Sequence, residues 1–199
     1  MYFKLFSEYP SDEHWTGLKR ILRYLSGTKN IRLVYRRSVD DEPLEGYADA
    51  DYGNGEDRKS ISGNIFKVFG NLVSWSSKRQ QMICLSSTEA EFISLCNASR
   101  EGMWLSSLMR ELGFEVEPFT IFEDNIPCIR IAEEPREHQR TKHIDIKYLF
   151  IRDMIKQKKL KVKYLCTQNQ IADMFTKPLV KTKLIEFITK LGIKNEGKY

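Results

Sequence analysis

The chain has 199 residues, 41% hydrophobic and 12% aromatic, enough for a globular protein with one sizeable core or a domain plus an appendage. No apolar run approaches the roughly 18 residues of a membrane span, and the start Met1 to Glu8 is too short and mixed for a signal peptide, so the expectation is a soluble, non-secreted chain with no membrane partner. The formal charge of +5 is unevenly spread, since residues 136–163 hold ten Lys or Arg against three acids and leave the remainder slightly acidic.

In chain order, Pro10 and Ser11 precede a helix whose apolar positions Trp15, Leu18, Ile21, Leu22 and Leu25 follow a 3.6-residue period and which ends near Gly27. A strand from Ile31 to Tyr35 follows. A charged turn from Arg36 to Pro43 then separates this N-terminal piece from a main domain. Three strands come next: Glu45 to Asp51, Gly63 to Phe69, and Leu72 to Ser77 with an extension through Met82 to Leu85, joined by turns that carry Gly53, Gly55, Gly70 and Asn71. A long helix runs from Ser87 to Leu112 and stops at Gly113. It is followed by a strand from Phe119 to Glu123, a short helix from Ile126 to Ala132, a basic helix from Ile144 to Lys158 and a strand from Leu160 to Leu165. A helix from Gln170 to Phe175 and a last helix from Lys181 to Leu191 complete the order. Three antiparallel strands followed by alternating helices and strands predict an α/β layer architecture. Cys84, Cys96, Cys128 and Cys166 lie far apart with no Cys-x-x-Cys pair, which predicts reduced, buried thiols and argues against zinc or disulfides.

Four carboxylates in the order Asp49, Glu91, Asp124, Asp173 fall at the edges of these elements. Several hard oxygen ligands converging from separate elements are what a nuclease needs to hold two divalent ions about 4 Å apart across a phosphate. Asp49 has small neighbours, Ala48 and Ala50, but Asp51 shares its parity and stands as an alternative. Ser86-Ser87-Thr88-Glu89 fits a capping box, which gives Glu89 a structural task. Glu91 instead extends the stripe Leu95, Ala98, Gly102, Leu105, Met109, Leu112, and a carboxylate aimed at a core is costly unless paired or metal-bound, so Glu91 is favoured as the ligand. Asp124 ends an apolar strand, although it also suits an N-cap for the helix at Ile126, and Glu123 is its rival. Asp173 lies in the first turn of a helix that Thr167-x-x-Gln170 suits as a cap, where the dipole alone favours an acid. The run Lys156-Gln157-Lys158-Lys159-Leu160-Lys161-Val162-Lys163 suits phosphate neutralisation and equally a solvated face.

Tyr47-Ala48-Asp49-Ala50-Asp51-Tyr52, Asp57-Arg58-Lys59-Ser60-Ile61-Ser62-Gly63, Ser74-Trp75-Ser76-Ser77-Lys78, Leu85-Ser86-Ser87-Thr88-Glu89-Ala90-Glu91, Arg140-Thr141-Lys142-His143-Ile144-Asp145-Ile146 and Ile171-Ala172-Asp173-Met174-Phe175-Thr176-Lys177-Pro178-Leu179 resemble the C-terminal RNase H region of copia-type LTR retrotransposon Pol polyproteins. His14-Trp15 and Leu18 to Leu25 are similar to the end of the reverse transcriptase that precedes RNase H there. The resemblance covers nearly the whole chain. It implies an RNase H-like fold with a mixed five-stranded sheet and helices on both faces, divided as 1–43 (tail of reverse transcriptase), 44–179 (RNase H domain) and 180–199 (C-terminal helix and tail).

It further implies Asp49, Glu91, Asp124 and Asp173 as catalytic metal ligands, the Asp-Asn pair of the family matching Asp124-Asn125. Two Mg²⁺ ions, with Mn²⁺ as substitute, would serve hydrolysis of the RNA strand of an RNA/DNA hybrid during reverse transcription. One ion would lower the pKa of the attacking water and the other stabilise the leaving 3′ oxygen. Arg140, Lys142, His143, Lys156, Lys158, Lys159 and Lys161 are expected at nucleic acid, and His143 carries no assigned chemical step. The implied partners are the hybrid and the polymerase region of the same polyprotein, in the virus-like particle in the cytoplasm or in the nucleus. The alternative is a degenerate or domesticated fragment that binds nucleic acid or a polymerase without cleaving.

Overall fold

The computed structural model describes residues 8–37, 42–54, 57–134 and 142–195. Helix α1 (Asp12–Thr28) starts at Ser11, whose hydroxyl accepts from the His14 amide while His14 Nδ1 accepts the Ser11 N–H at 3.0 Å. Its predicted apolar stripe forms but buries nothing among the described residues, and Trp15 is 59% exposed. Strand β1 (Ile31–Leu33) is shorter than expected.

Strands β2 (Leu44–Asp51), β3 (Ile61–Val68) and β4 (Asn71–Arg79) make an antiparallel meander. The β3–β4 turn is Phe69-Gly70, with φ of 47° and 71°, the left-handed pair that a two-residue hairpin requires to match strand twist. The expected extension of β4 through Met82 to Leu85 does not form. Gln80 turns inward instead, its amide donating to Ser62 Oγ at 2.8 Å and Ala90 O at 2.9 Å, and this pulls the chain off the sheet edge. Helix α2 (Ser87–Glu111) leads to β5 (Phe119–Glu123), α3 (Ile126–Glu133), α4 (Lys142–Lys156), β6 (Leu160–Tyr164), α5 (Lys181–Lys190) and β7 (Ile193–Asn195).

The main sheet has the order β4-β3-β2-β5-β6, with β2, β5 and β6 parallel. This is the expected mixed five-stranded α/β sheet, its parallel joins made by helical crossovers. One face packs Leu44, Phe66, Phe119 and Ile121 against Phe92 and Leu95 of α2 and Ile151 of α4. The other packs Ile65 and Leu72 against Phe187 of α5, Leu191 and the segment at Ile171. Helices therefore cover both faces, and each fully buried Phe, Leu or Ile contributes about 1.5–3 kcal/mol of transfer energy.

Strand β7 was not foreseen. It pairs antiparallel with β1, Ile31 opposite Asn195, and Leu33 and Ile193 close over the second core. Asn71 ties this pair to the meander, accepting the Arg36 N–H at 2.7 Å and donating to Arg36 O at 2.9 Å. The pieces expected on either side of residues 44–179 thus pack on each other and on the sheet. Cys84, Cys96 and Cys128 are buried, but Cys166 is exposed because it lies beyond the end of β6. No helix among the described residues is long and apolar enough to cross a membrane.

Candidate active site

Parallel strands β2 and β5 pair from Glu45–Thr120 to Tyr47–Phe122 and then part, Asp49 and Asp124 each lying two residues beyond the last pair. Both carboxylates thus project from the carboxyl ends of adjacent central strands, where α/β sheets open a crevice. Glu91 arrives from the N-terminal end of α2. Oxygens of Asp49, Glu91 and Asp124 lie within 4.8 Å of one another, with Asp49 and Glu91 buried and Asp124 half-buried. Asp173 lies in a 3₁₀ segment, Ile171–Phe175, in place of the expected α-helix. It stands outside that group of three, its Oδ1 2.9 Å from Lys177 Nζ.

The rival acids have other partners. Glu89 accepts the Leu85 N–H at 2.7 Å while Ser86 Oγ accepts the Glu89 N–H at 3.2 Å, a capping arrangement shifted back by one residue. Asp51 accepts from Asn54 Nδ2 at 3.0 Å. The cap of α3 is Asn125, whose Oδ1 accepts the Cys128 N–H at 2.9 Å, so Asp124 is not the N-cap. In the stripe of α2 the burial runs from Glu91 to Met109, but Leu112 is exposed because α2 ends at Glu111 and the chain turns away.

Thr176 Oγ1 donates to Asp49 Oδ2 and lies 3.1 Å from Asp173 O. This approach requires a glycine at position 63, the register partner of Asp49, because a Cβ there would stand 2.7 Å from Thr176 Cγ2 and 3.0 Å from Ala172 O. Gln170 fills the wedge where β2 and β5 part. Fully buried, its amide donates to Ala48 O at 2.9 Å and Phe122 O at 3.4 Å, while its oxygen accepts the Ala172 N–H at 3.4 Å. One side chain thereby links the three elements that carry Asp49, Asp124 and Asp173. Gln170 is also the cap of the 3₁₀ segment, whereas Thr167 starts a separate turn, Thr167–Asn169.

The electrostatics favour a cation. Burial, then the Asp173 and Asp124 charges, push Asp49 up to about 7 against the opposing Thr176 hydrogen bond and Lys177 charge. Burial, with Glu123, Asp49 and Asp124 beside it, pushes Glu91 up to about 11. Glu123 is wholly buried and raised well above the usual carboxyl range by burial, with Asp124 and Asp49 adding to this, and its Oε1 accepts the Asn125 N–H at 3.1 Å. Among the described residues, Glu91 Oε2 is buried with no hydrogen-bond partner. An orphaned carboxylate oxygen within an all-oxygen donor set fits a hard divalent cation, and the 4.8 Å span is close to the roughly 4.2 Å between opposite oxygens around octahedral Mg²⁺.

A groove of about 950 Å³ lies between the β3–β4 face and α2. Ser62 and Asn64, which flank Gly63, line it from β3, and Lys78, Arg100, Lys147 and exposed Trp104 line it from β4 and the helices; Trp75, the register partner of Ile65, points to the other face of the sheet. The lysines expected at nucleic acid around β6 lie apart from this groove. Leu160 pairs with Phe119 and Tyr164 with Glu123, so Lys156, Lys158 and Lys159 precede β6 at the end of the sheet opposite Asp124. Lys161 is exposed along β6, an edge strand, where lysine also blocks strand addition. Lys142 and His143 open α4, their side chains outside the described ones, and Arg140 lies outside the described residues. Sequence reasoning gave Gln170 only a part in a cap begun by Thr167 and assigned no role to Thr176 or Lys177. The i,i+4 spacing of Asp173 and Lys177 was the signal available for one of them.

No protein-family model matches the chain. It is 40% identical over 190 residues to the retrovirus-related Pol polyprotein from transposon RE1 of Arabidopsis thaliana, a match that takes in 94% of this chain and 13% of the polyprotein. The fold is similar to that of LC11-RNase H1, at TM-score 0.53 and 14% identity over 68% of this chain and 94% of that one. The structure of LC11-RNase H1 in complex with an RNA/DNA hybrid superposes at TM-score 0.50 and 15% identity, covering 71% of this chain and 99% of that one. The sheet and its flanking helices are thus those of the RNase H fold.

Proposed function

The chain belongs to the retrovirus-related Pol polyproteins of copia-type transposons, spanning 13% of the length of the relative it matches, and from that premise we propose that it is a divalent-metal-dependent ribonuclease H that cleaves the RNA strand of RNA/DNA hybrids. The observation that carries this reading is the convergence of Asp49, Glu91 and Asp124, from two strands and a helix, to within 4.8 Å.

In this reading Asp49, Glu91 and Asp124 hold one Mg²⁺, or Mn²⁺ in its place, and Asp173 serves a second. Bound there, such ions supply a water activated for attack and stabilisation of the departing 3′ oxygen, which leaves a 5′ phosphate and a 3′ hydroxyl. Thr176 fixes the Asp49 carboxylate, and Gln170 sets the spread between β2 and β5. Such pre-set ligand geometry is what transition-state stabilisation needs. The groove is the proposed seat of the duplex, with Lys78, Arg100 and Lys147 neutralising phosphates and the face of Trp104 against the strand. Polar Ser62 and Asn64 within it suit contacts to 2′-hydroxyls, the group that separates RNA from DNA. The lysines around β6 would hold more distant phosphates. The exposed apolar stripe of α1 suits the polymerase region of the same polyprotein as a neighbour.

The test is cleavage of a hybrid labelled on its RNA strand by the purified chain in millimolar Mg²⁺, with Asp124→Asn as control. Mg²⁺-dependent products ending in 3′ hydroxyls that vanish in the variant support the reading. Binding of the hybrid without cleavage supports the alternative of a fragment that only binds.

A further inference from the structure

Three of the four acids point at a common centre, and the fourth is held aside. Asp173 Oδ1 is 2.9 Å from Lys177 Nζ, and the Lys177 N–H donates to Asp173 O at 3.1 Å, so backbone and side chain both fix the pair. Asp173 is 8% exposed at its side chain, whereas Lys177 is 37% exposed and so borders on solvent. The Lys177 ammonium thus stands against the one acid that lies outside the group of three.

We infer that Lys177 is an exchangeable counter-ion at the Asp173 side of the cluster, which a divalent cation must displace, so that the Asp49–Glu91–Asp124 site fills first and the Asp173 site fills only by exchange. The inference rests on the metal-dependent reading above. A lysine suits this part physically. Its ammonium is a compact, strongly hydrated charge on a flexible stem, so release into water from a half-exposed position costs little, while a doubly charged ion gains more from the same carboxylate. Before any metal binds, the same ammonium offsets repulsion among carboxylates that are otherwise crowded together. The arrangement makes the second ion weaker than the first and easier to lose at low metal concentration.

The experiment is calorimetric titration of the substrate-free protein with Mn²⁺, on the natural chain and on Lys177→Gln, Lys177→Arg and Asp173→Asn. The natural chain is expected to show a tighter and a weaker binding event, and Asp173→Asn only the tighter. Lys177→Gln should tighten the weaker event by about 3- to 10-fold, since a half-exposed ion pair of modest strength no longer competes, and leave the tighter one nearly unchanged. Lys177→Arg, which keeps the charge, should stay near the natural value. The Mg²⁺ concentration for half-maximal cleavage should fall in Lys177→Gln in parallel. An unchanged or weakened second event in Lys177→Gln, with the first intact, overturns the exchange alone. Absence of any Mn²⁺ binding to the natural chain overturns the metal reading and the exchange with it.

Discussion

Replacing Asp49 by Asn should stabilise the metal-free protein at neutral pH while removing its activity. Asp49 is raised from an ordinary 3.8 to about 7, chiefly by burial. A rise of about three pH units corresponds to about 4 kcal/mol by which ionising this carboxyl opposes the metal-free fold. The sign follows from proton binding. Below pH about 4 the group is protonated in both folded and unfolded chains and contributes nothing. Between about 4 and 7 the unfolded chain releases its proton and the folded chain keeps it, so this contribution to stability falls as pH rises and levels off above 7. Asn carries no charge and still offers Thr176 an acceptor, so it escapes the penalty. For a chain of this size 1 kcal/mol is about 2–4 °C, which makes about 8–16 °C the upper bound of the gain. Melting curves in EDTA from pH 4 to 8 test it. The variant should match the natural chain near pH 4 and melt higher by several degrees at pH 7.5, whereas millimolar Mg²⁺ should raise the natural chain and leave the variant unmoved. A variant that melts at or below the natural chain at pH 7.5 without metal refutes the electrostatic account of the cluster.

Glu91→Gln should lose nearly all cleavage with little change in melting temperature, because Glu91 is held protonated at neutral pH, and Glu89→Gln should keep most activity, because Gln can still accept the Leu85 N–H; kcat and melting curves on both variants decide it, and the reverse pattern would assign the ligand to Glu89. Gly63→Ala should cost about 1–3 kcal/mol and lower kcat, because the new Cβ drives the 3₁₀ segment away from Asp49; denaturant melts and unchanged turnover would refute that contact. Neutralising Lys78, Arg100 and Lys147 to Gln should flatten the salt dependence of hybrid binding by about one log–log unit per lost contact, and more than neutralising Lys156, Lys158 and Lys159; fluorescence titrations at several salt concentrations would give the opposite ranking if the track runs along β6.

The sequence by itself determined what rests on neighbours within about four residues. Alternation and turn residues placed β2, β3 and β5, and Gly70 marked the hairpin, although its turn is Phe69-Gly70 and Asn71 opens β4; Ser86 with Glu89 fixed where α2 begins, which in turn put Glu91 on the buried stripe. The motifs carried the family, and of the four acids they singled out, the fold brings Asp49, Glu91 and Asp124 together. What only the tertiary structure decided depends on long-range pairing. The parallel register of β5 and β6 sends the Lys156–Lys159 turn to the far end of the sheet, although those lysines lie only some thirty residues after Asp124 in the chain. Lys78 and Trp104 share a groove only because α2 crosses the β3–β4 face. The β1–β7 pairing joins the two ends of the described chain, and no local pattern in three-residue strands announces it. Gln170 read as a capping partner of Thr167, yet it is fully buried, because the gap left where β2 and β5 part exposes two carbonyls that one amide can satisfy. Local chemistry chose the carboxylates. The splay of two strands, filled by a residue 122 positions from Ala48, set the distances between them.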